Sequence, residues 1–142
     1  MSKNPSTRRR GVGRYRYGDD YRVPFPDAAP ASISHAAYVL TPLGRVYRDD
    51  GFLLRPSADK LRVKLNGKSV VRSLPQAIYK AFGRKKMPPL WVVWVPPDAP
   101  IDERTGRRSC SVKNVVLVNR GDLIRLAAGT IKLEQIKRTK IR

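Results

Sequence analysis

The side chains with the greatest capacity for chemistry in this sequence are its arginines and lysines. Lys and Arg number 30 against 11 Asp and Glu, which gives a net charge of +19 over 142 residues. A guanidinium can bind phosphate through two parallel hydrogen bonds, and neutralising phosphates releases condensed counterions, which drives association. The composition therefore predicts a polyanionic partner, and nucleic acid is the usual one.

Side chains suited to catalysis or to metal binding are scarce. The single histidine, His35, and the single cysteine, Cys110, exclude an internal disulfide framework and a zinc site built only from Cys and His. Asp98, Asp102 and Glu103 could hold Mg²⁺ weakly through oxygen ligands, although the neighbouring prolines favour a solvated loop. The sequence also lacks the phosphate-binding loop and the nucleophile-elbow motif. We therefore expect no enzymatic activity, no cofactor and no metal ion.

The first part of the chain, residues 1–36, predicts a basic extended arm. It is rich in Arg, Gly, Pro and Tyr and shows little helical or strand periodicity. Such an arm can follow a phosphate backbone while its tyrosines stack on bases, or it can lie across a protein surface or be disordered alone. It contributes five candidate nucleic-acid-binding residues: Arg8, Arg9, Arg10, Arg14 and Arg16.

The clearest local pattern predicts a two-stranded ribbon. Residues 60–65 alternate basic and apolar side chains, and residues 70–72 provide the returning strand. Between them, Asn66 and Gly67 supply the two positive-φ residues of a type I′ turn. One face of the ribbon should be apolar, and the other should carry the candidate phosphate-binding side chains Arg62, Lys64 and Arg72.

Two short helices are predicted from their capping residues. Ser73 is a good N-cap, and Gly83 stands where the apolar stripe of the first helix ends. Asn119 should begin a second helix over about residues 120–128, closed by Gly129. The first helix is expected to pack on the ribbon. It is followed by three more candidate phosphate-binding residues: Arg84, Lys85 and Lys86.

Further strands are expected along the rest of the chain. They are residues 38–48, broken at a proline and a glycine, and residues 52–57, 91–95 and 115–119. Trp91 and Trp94 are three residues apart, so on a strand they should face opposite sides. The residues between the last two strands read as a polar loop, which carries the candidate nucleic-acid-binding residues Arg107 and Arg108.

The expected fold is therefore α+β, with small antiparallel hairpins and short packed helices. The predicted domain spans residues 37–128, between the basic arm and a basic C-terminal tail at residues 129–142. The longest apolar run is far too short to span a bilayer, so we expect no membrane partner. The single cysteine fits an intracellular setting.

A set of residues in a fixed order carries a resemblance to a known family. They are Tyr38, Val39, Gly44 and Val46, then Leu54, Arg55 and Pro56, then Arg62, Val63 and Leu65, then Ala77, Ile78, Ala81 and Phe82, and finally Asn114 and Asn119. In order and spacing, residues 37–126 resemble the module and closing segment of phage HNH homing endonucleases. The resemblance implies an HNH-like ββα fold and a DNA-binding role.

The same resemblance implies that the catalytic groups of the family are missing. Its pattern places a helix histidine at Pro75, and its central Asp-His stretch within residues 91–106, where no histidine occurs. Its later asparagine falls near Ser109 or Cys110, and His35 lies upstream of the matched region as a linker residue. The chain thus resembles a degenerate, non-catalytic HNH-like protein.

Three functions stay open from the sequence. The first is phosphate-dominated nucleic-acid binding without catalysis, in a phage or mobile-element setting, in the host cytoplasm or nucleoid. The second is a structural role in a nucleoprotein assembly, a virion or a ribosome-like particle, whose other proteins would be further partners. The third, ranked last, is an active nuclease that uses unrecognised carboxylates.

Overall fold

The computed structural model describes residues 21–26, 37–65 and 67–142. Its strands are β1 (Val23–Pro24), β2 (Tyr38–Leu40), β3 (Val46–Arg48), β4 (Lys60–Leu65), β5 (Lys68–Ser73), β6 (Trp91–Trp94), β7 (Ile101–Asp102), β8 (Arg107–Arg108), β9 (Val116–Asn119) and β10 (Thr139–Lys140). The helices are α1 (Leu74–Phe82) and α2 (Arg120–Ala127), with a 3-10 helix at Leu133–Gln135. The strand pairs of the described residues are antiparallel, which confirms the expected small α+β fold. Most of the predicted arm, including its five candidate arginines, lies outside the described residues.

The predicted ribbon forms as β4 and β5. Leu65 pairs with Lys68, so a two-residue loop joins the strands, and Gly67 has the positive φ of +78° that this turn requires. Asn66 lies outside the described residues. The alternate residues of β4, from Leu61 to Leu65, are buried, which confirms the apolar face that packs on the core.

Helix α1 begins and ends where its capping residues predict. The Ser73 hydroxyl accepts a hydrogen bond from the Gln76 N–H at 3.3 Å. Gly83 follows the helix with an ordinary φ of −70°, and its N–H donates to the Tyr79 carbonyl at 2.8 Å. A Cβ at this position would lie 2.5 Å from the Tyr79 ring, so the glycine is required by this close approach and not by a left-handed conformation.

Strands β6, β9 and β10 form a second sheet, in the order β10–β9–β6. Trp91 packs against the main core, the larger cluster of buried side chains that includes Leu40, Val63, Ile78 and Leu117. Trp94 packs against a smaller cluster of Val116, Val118 and Ile136. The two tryptophans therefore face opposite sides of β6, as predicted. Helix α2 follows β9 directly, with the Asn119 side chain accepting from the Gly121 N–H at 2.8 Å.

Two segments outside the predicted domain pack onto it. In the arm, β1 pairs with β2, and Phe25 is buried in the main core. In the basic tail, β10 pairs with β9, and Ile136 and Ile141 are buried. The tail thus provides an edge strand and core side chains, and its one helical element is the 3-10 helix.

Two expected local structures differ from what the chain forms. Residues 52–57 were expected to form a second short strand, but they form two isolated bridges, Leu53 to Tyr47 and Ser57 to Lys60, and Pro56 between them has no N–H to continue the pairing. The expected polar loop after β6 instead contains the β7–β8 hairpin, in which Asp102 pairs with Arg107. Among the described residues, neither helix is long and apolar enough to cross a membrane.

Candidate nucleic-acid interface

The outer face of the β4–β5 ribbon presents a row of polar and basic side chains. Directly opposed residues of an antiparallel pair share a face, and Arg62 stands opposite Val71 while Lys64 stands opposite Ser69. Arg62 and Lys64 are exposed and lie about 7 Å apart along the strand, and the Arg62 guanidinium donates to the Ser69 hydroxyl at 3.3 Å. We call Lys60, Arg62, Lys64, Ser69 and Val71 the outer ribbon face.

Arg72 does not belong to this face. It pairs with Leu61, so its side chain leaves the ribbon on the apolar side, where it is half-buried. The expected outward position was wrong because the two-residue turn places Val71, not Arg72, opposite Arg62. Arg72 instead borders a small recess formed with Phe25, so its position is separate from the row of exposed cations.

A second basic surface forms where the end of α1 meets β10. The N–H groups of Arg84 and Lys85 both donate to the Ile141 carbonyl, at 2.7 and 3.0 Å. These bonds bring the predicted cations beside Lys140 and Arg142, which sequence reasoning missed. The alternation in residues 139–142, with Ile141 buried between exposed cations, was a strand signal that could have found them. The C-terminal basic cluster is Arg84, Lys85, Lys86, Lys140 and Arg142.

The C-terminal basic cluster extends to a recess of about 240 Å³. One wall is the turn between β2 and β3, in which Gly44, with φ of +82°, packs so tightly that a Cβ would lie 2.5 Å from the Cys110 carbonyl carbon. The recess is lined by Pro42, Leu43, Ser111, Val112, Lys113, Lys140 and Arg142. An apolar floor with three cations around it suits an anionic ligand that carries an apolar part.

Arg107 and Arg108 are partly engaged within the protein. The Arg107 Nε donates to the Pro56 carbonyl at 2.9 Å, and an Arg108 terminal nitrogen donates to the Val95 carbonyl at 3.3 Å. Each guanidinium keeps further donors. Their first contacts nevertheless tie the β7–β8 hairpin to the rest of the fold.

Asp102 occupies a buried ion pair instead of the solvated loop that was expected. Both of its carboxylate oxygens accept from Arg45, at 3.0 and 3.1 Å, and one also accepts from the Arg104 N–H at 2.9 Å. Burial is the largest single influence and would raise the pKa of Asp102, but the hydrogen bonds from Arg45 and from the Arg104 N–H, together with the charge of Arg45, hold the pKa below its ordinary value. The expectation failed because the partner lies 57 residues away in sequence.

Asp98 is also bound by an arginine. Both of its oxygens accept from Arg138, at 3.2 and 3.0 Å, and this contact lowers the pKa of the Asp98 carboxyl. The same guanidinium carbon lies 5.9 Å from the centre of the Trp94 ring. Arg138 therefore links the segment after the 3-10 helix to β6, and the Asp98 side chain stays 53% exposed while it is paired, in agreement with the expected solvated position.

Among the described residues, the candidate catalytic positions Cys110 and Pro75 offer no reactive group at neutral pH. Burial raises the pKa of the Cys110 thiol to about 12, so it stays protonated at neutral pH and is a poor nucleophile. Pro75 is buried in the first turn of α1. His35 lies outside the described residues. Within residues 21–26, 37–65 and 67–142, no three His, Cys, Asp or Glu side chains are grouped closely enough to hold a metal ion.

Comparison with known proteins gave one result among solved structures. No protein-family model and no curated protein matches the chain. The chain is similar to a structure of the HNH homing endonuclease I-HmuI that describes DNA binding and cleavage, with 14% identity and a TM-score of 0.44. The similarity covers 69% of this chain and 56% of that one, so the chain spans about half the length of that protein.

Proposed function

We propose that this protein binds nucleic acid, DNA in preference to RNA, mainly through phosphate contacts. The observation that carries the proposal is that the exposed cations of two surfaces, the outer ribbon face and the C-terminal basic cluster, are not neutralised by carboxylates of the described residues. Within the described residues, none of their lysines or arginines forms a salt bridge. In a chain of net charge +19, such cations repel one another until a polyanion neutralises them.

The proposed binding is non-catalytic. The carboxylates that could best have held Mg²⁺, those of Asp98 and Asp102, are each bound by an arginine through both oxygens. An arginine in that position opposes a divalent cation by charge repulsion as well as by occupying the oxygens. Together with Pro75 in place of a helix histidine, this supports a degenerate HNH-like scaffold. By the same resemblance, we propose a phage or mobile-element origin and an intracellular setting.

The proposal is tested by measuring affinity for DNA and RNA fragments over a salt series. We expect a steep fall of log K with log salt and tighter binding to DNA. The Lys140→Gln/Arg142→Gln variant should lower the slope by about 2, because each lost phosphate contact removes about 0.9. The wild-type protein, incubated with plasmid and Mg²⁺ or Mn²⁺, should leave the DNA intact.

The matched control is Lys132→Gln/Lys137→Gln. It removes the same charge from exposed positions of the same segment that lie outside the C-terminal basic cluster, and the slope should stay close to that of the wild type. Binding that ignores salt, or equal losses in both double variants, would contradict the proposed interface. Plasmid cleavage that Asp98→Ala abolishes would contradict the non-catalytic function.

A further inference from the structure

The turn that leads into β6 holds a leucine in a backbone conformation that leucine disfavours. The Trp91 N–H donates to the Pro88 carbonyl at 3.2 Å, so Leu90 is the third residue of a four-residue turn, and its φ is +66°. With Pro89 in the second position, this is the pattern of a type II turn, whose third position is normally glycine or asparagine. A leucine there is strained because its Cβ crowds the following carbonyl oxygen.

The strained leucine is also presented to solvent. Leu90 is 73% exposed, more than any other large apolar residue among those described. Its carbonyl accepts from the Arg120 N–H at 2.8 Å, and this bond fixes the turn to the start of α2. The free protein therefore holds an apolar side chain outward on a rigid backbone, although both the strain and the exposure destabilise it.

Two exposed cations are connected to this leucine, one by sequence and one by a hydrogen bond. Lys86 precedes it by four residues, Arg120 is joined to it by the hydrogen bond above, and both are exposed. Within the described part of the chain, neither forms a salt bridge. Proteins that kink DNA combine these features, because cations hold the backbones while an apolar side chain enters between adjacent base pairs.

We infer that Leu90 is a wedge that inserts between adjacent base pairs of duplex DNA and kinks it. The inference rests on the proposed DNA binding and adds the mode of contact. A wedge must be apolar, must project, and must keep its position against the resistance of the base stack. The two hydrogen bonds of the turn supply this rigidity, and the partner of the exposed side chain is the face of an unstacked base.

The test uses a short DNA duplex with a central TA step, because such steps kink most easily. 2-Aminopurine at the step reports unstacking, and a fluorophore pair at the ends reports bending. The test variant is Leu90→Gly, which removes the side chain and relieves the positive φ. The matched control is Ile101→Ala, since Ile101 is 62% exposed on the distant β7–β8 hairpin.

Wild type and Ile101→Ala should both unstack and bend the duplex, and Leu90→Gly should do neither. Leu90→Gly should bind about tenfold more weakly, which corresponds to about 1.4 kcal/mol, with an unchanged salt slope because no phosphate contact is lost. Its melting temperature should rise by about 2 °C because the backbone strain is relieved. A Leu90→Gly variant that is more stable but binds DNA less tightly would show that Leu90 acts in binding, because the loss of a residue needed for the structure would lower stability.

Three outcomes would overturn the inference. Salt-dependent binding by the wild type without unstacking would remove the wedge and leave the proposed function in place. Absence of DNA binding by the wild type would remove both. A change of self-association in Leu90→Gly, measured by sedimentation velocity, with DNA bending unchanged would assign Leu90 to a protein interface instead.

Discussion

The β4–β5 ribbon and the β7–β8 hairpin both present arginines, yet they use them in opposite ways. On the ribbon, Arg62 projects from an exposed face and donates a hydrogen bond to a neighbouring serine of the same ribbon. On the hairpin, Arg107 and Arg108 donate to main-chain carbonyls of distant segments. The first arrangement leaves charge available to a partner, and the second uses it to hold the fold together.

This difference shows why a total of basic residues overstates a binding surface. Arg45 and Arg138 also serve the fold, since each closes an ion pair across 40 residues or more of sequence. The sequence gives all of these arginines the same weight, because neighbouring residues do not reveal whether a carboxylate or carbonyl lies within reach. Only the exposed, unbridged subset should govern the salt dependence of binding.

The largest effect on stability is expected from breaking the ion pair between Arg45 and Asp102 of the β7–β8 hairpin. Asp102→Ala leaves Arg45, 18% exposed in its side chain, without its carboxylate, and should lower the free energy of unfolding by about 2–3 kcal/mol. Urea denaturation measures the change. The matched control is Asp50→Ala, which breaks the exposed pair with Arg48 and should change stability little. Equal losses in the two variants would contradict the structural role of the Arg45–Asp102 pair.

A smaller effect is expected on DNA binding, where the salt dependence should distinguish the β4–β5 ribbon from the β7–β8 hairpin. Arg62→Gln/Lys64→Gln should weaken DNA binding about tenfold at moderate salt and lower the salt slope by about 2. Arg107→Gln/Arg108→Gln should change the slope by less than about 1 and should instead cost about 1 kcal/mol of stability per lost hydrogen bond. Salt titrations and urea denaturation of both double variants measure these effects. A larger slope change in the hairpin variant would reverse the comparison.

The smallest effect concerns acid. The pKa of Asp102 is lowered in the folded protein, so its stabilisation is present above the unfolded pKa, about 3.9, and is lost as pH falls through the folded value. Asp102→Asn should therefore show a weaker loss of stability than the wild type below about pH 4. Urea midpoints measured from neutral to acidic pH compare the two proteins. Superimposable acid profiles would show that Asp102 does not contribute.

Local signals predicted the elements whose determinants are close in sequence. The two-residue loop that contains Gly67 sets the ribbon register, and Ser73 and Asn119 mark the helix starts. In each case one or two residues determine the backbone conformation or hydrogen bonding of their immediate neighbours, so a few consecutive residues are enough to predict the element.

Long-range contacts were beyond the sequence because no periodic pattern encodes them. The alternation in residues 139–142 indicates a strand but not its neighbours, and the bond from the Arg84 N–H to the Ile141 carbonyl joins segments more than 50 residues apart. The Arg45–Asp102 pair and the position of Arg72 depend on the same kind of information. The candidate interface was thus predicted for Arg62, Lys64 and Arg84–Lys86, whereas the placement of Lys140 and Arg142 beside Arg84 depends on the folded chain.

The burial of Ile141 has a consequence for how the protein is made. Its side chain is fully buried in the main core, and its carbonyl receives both N–H groups that follow α1. During translation, every earlier strand leaves the ribosomal tunnel before this residue does. Until then the β9 edge of the second sheet is uncovered, so the core is completed only after residue 141 has emerged. A nascent chain stalled before that point should be accessible to proteases, and its β9 edge should be able to pair with other strands.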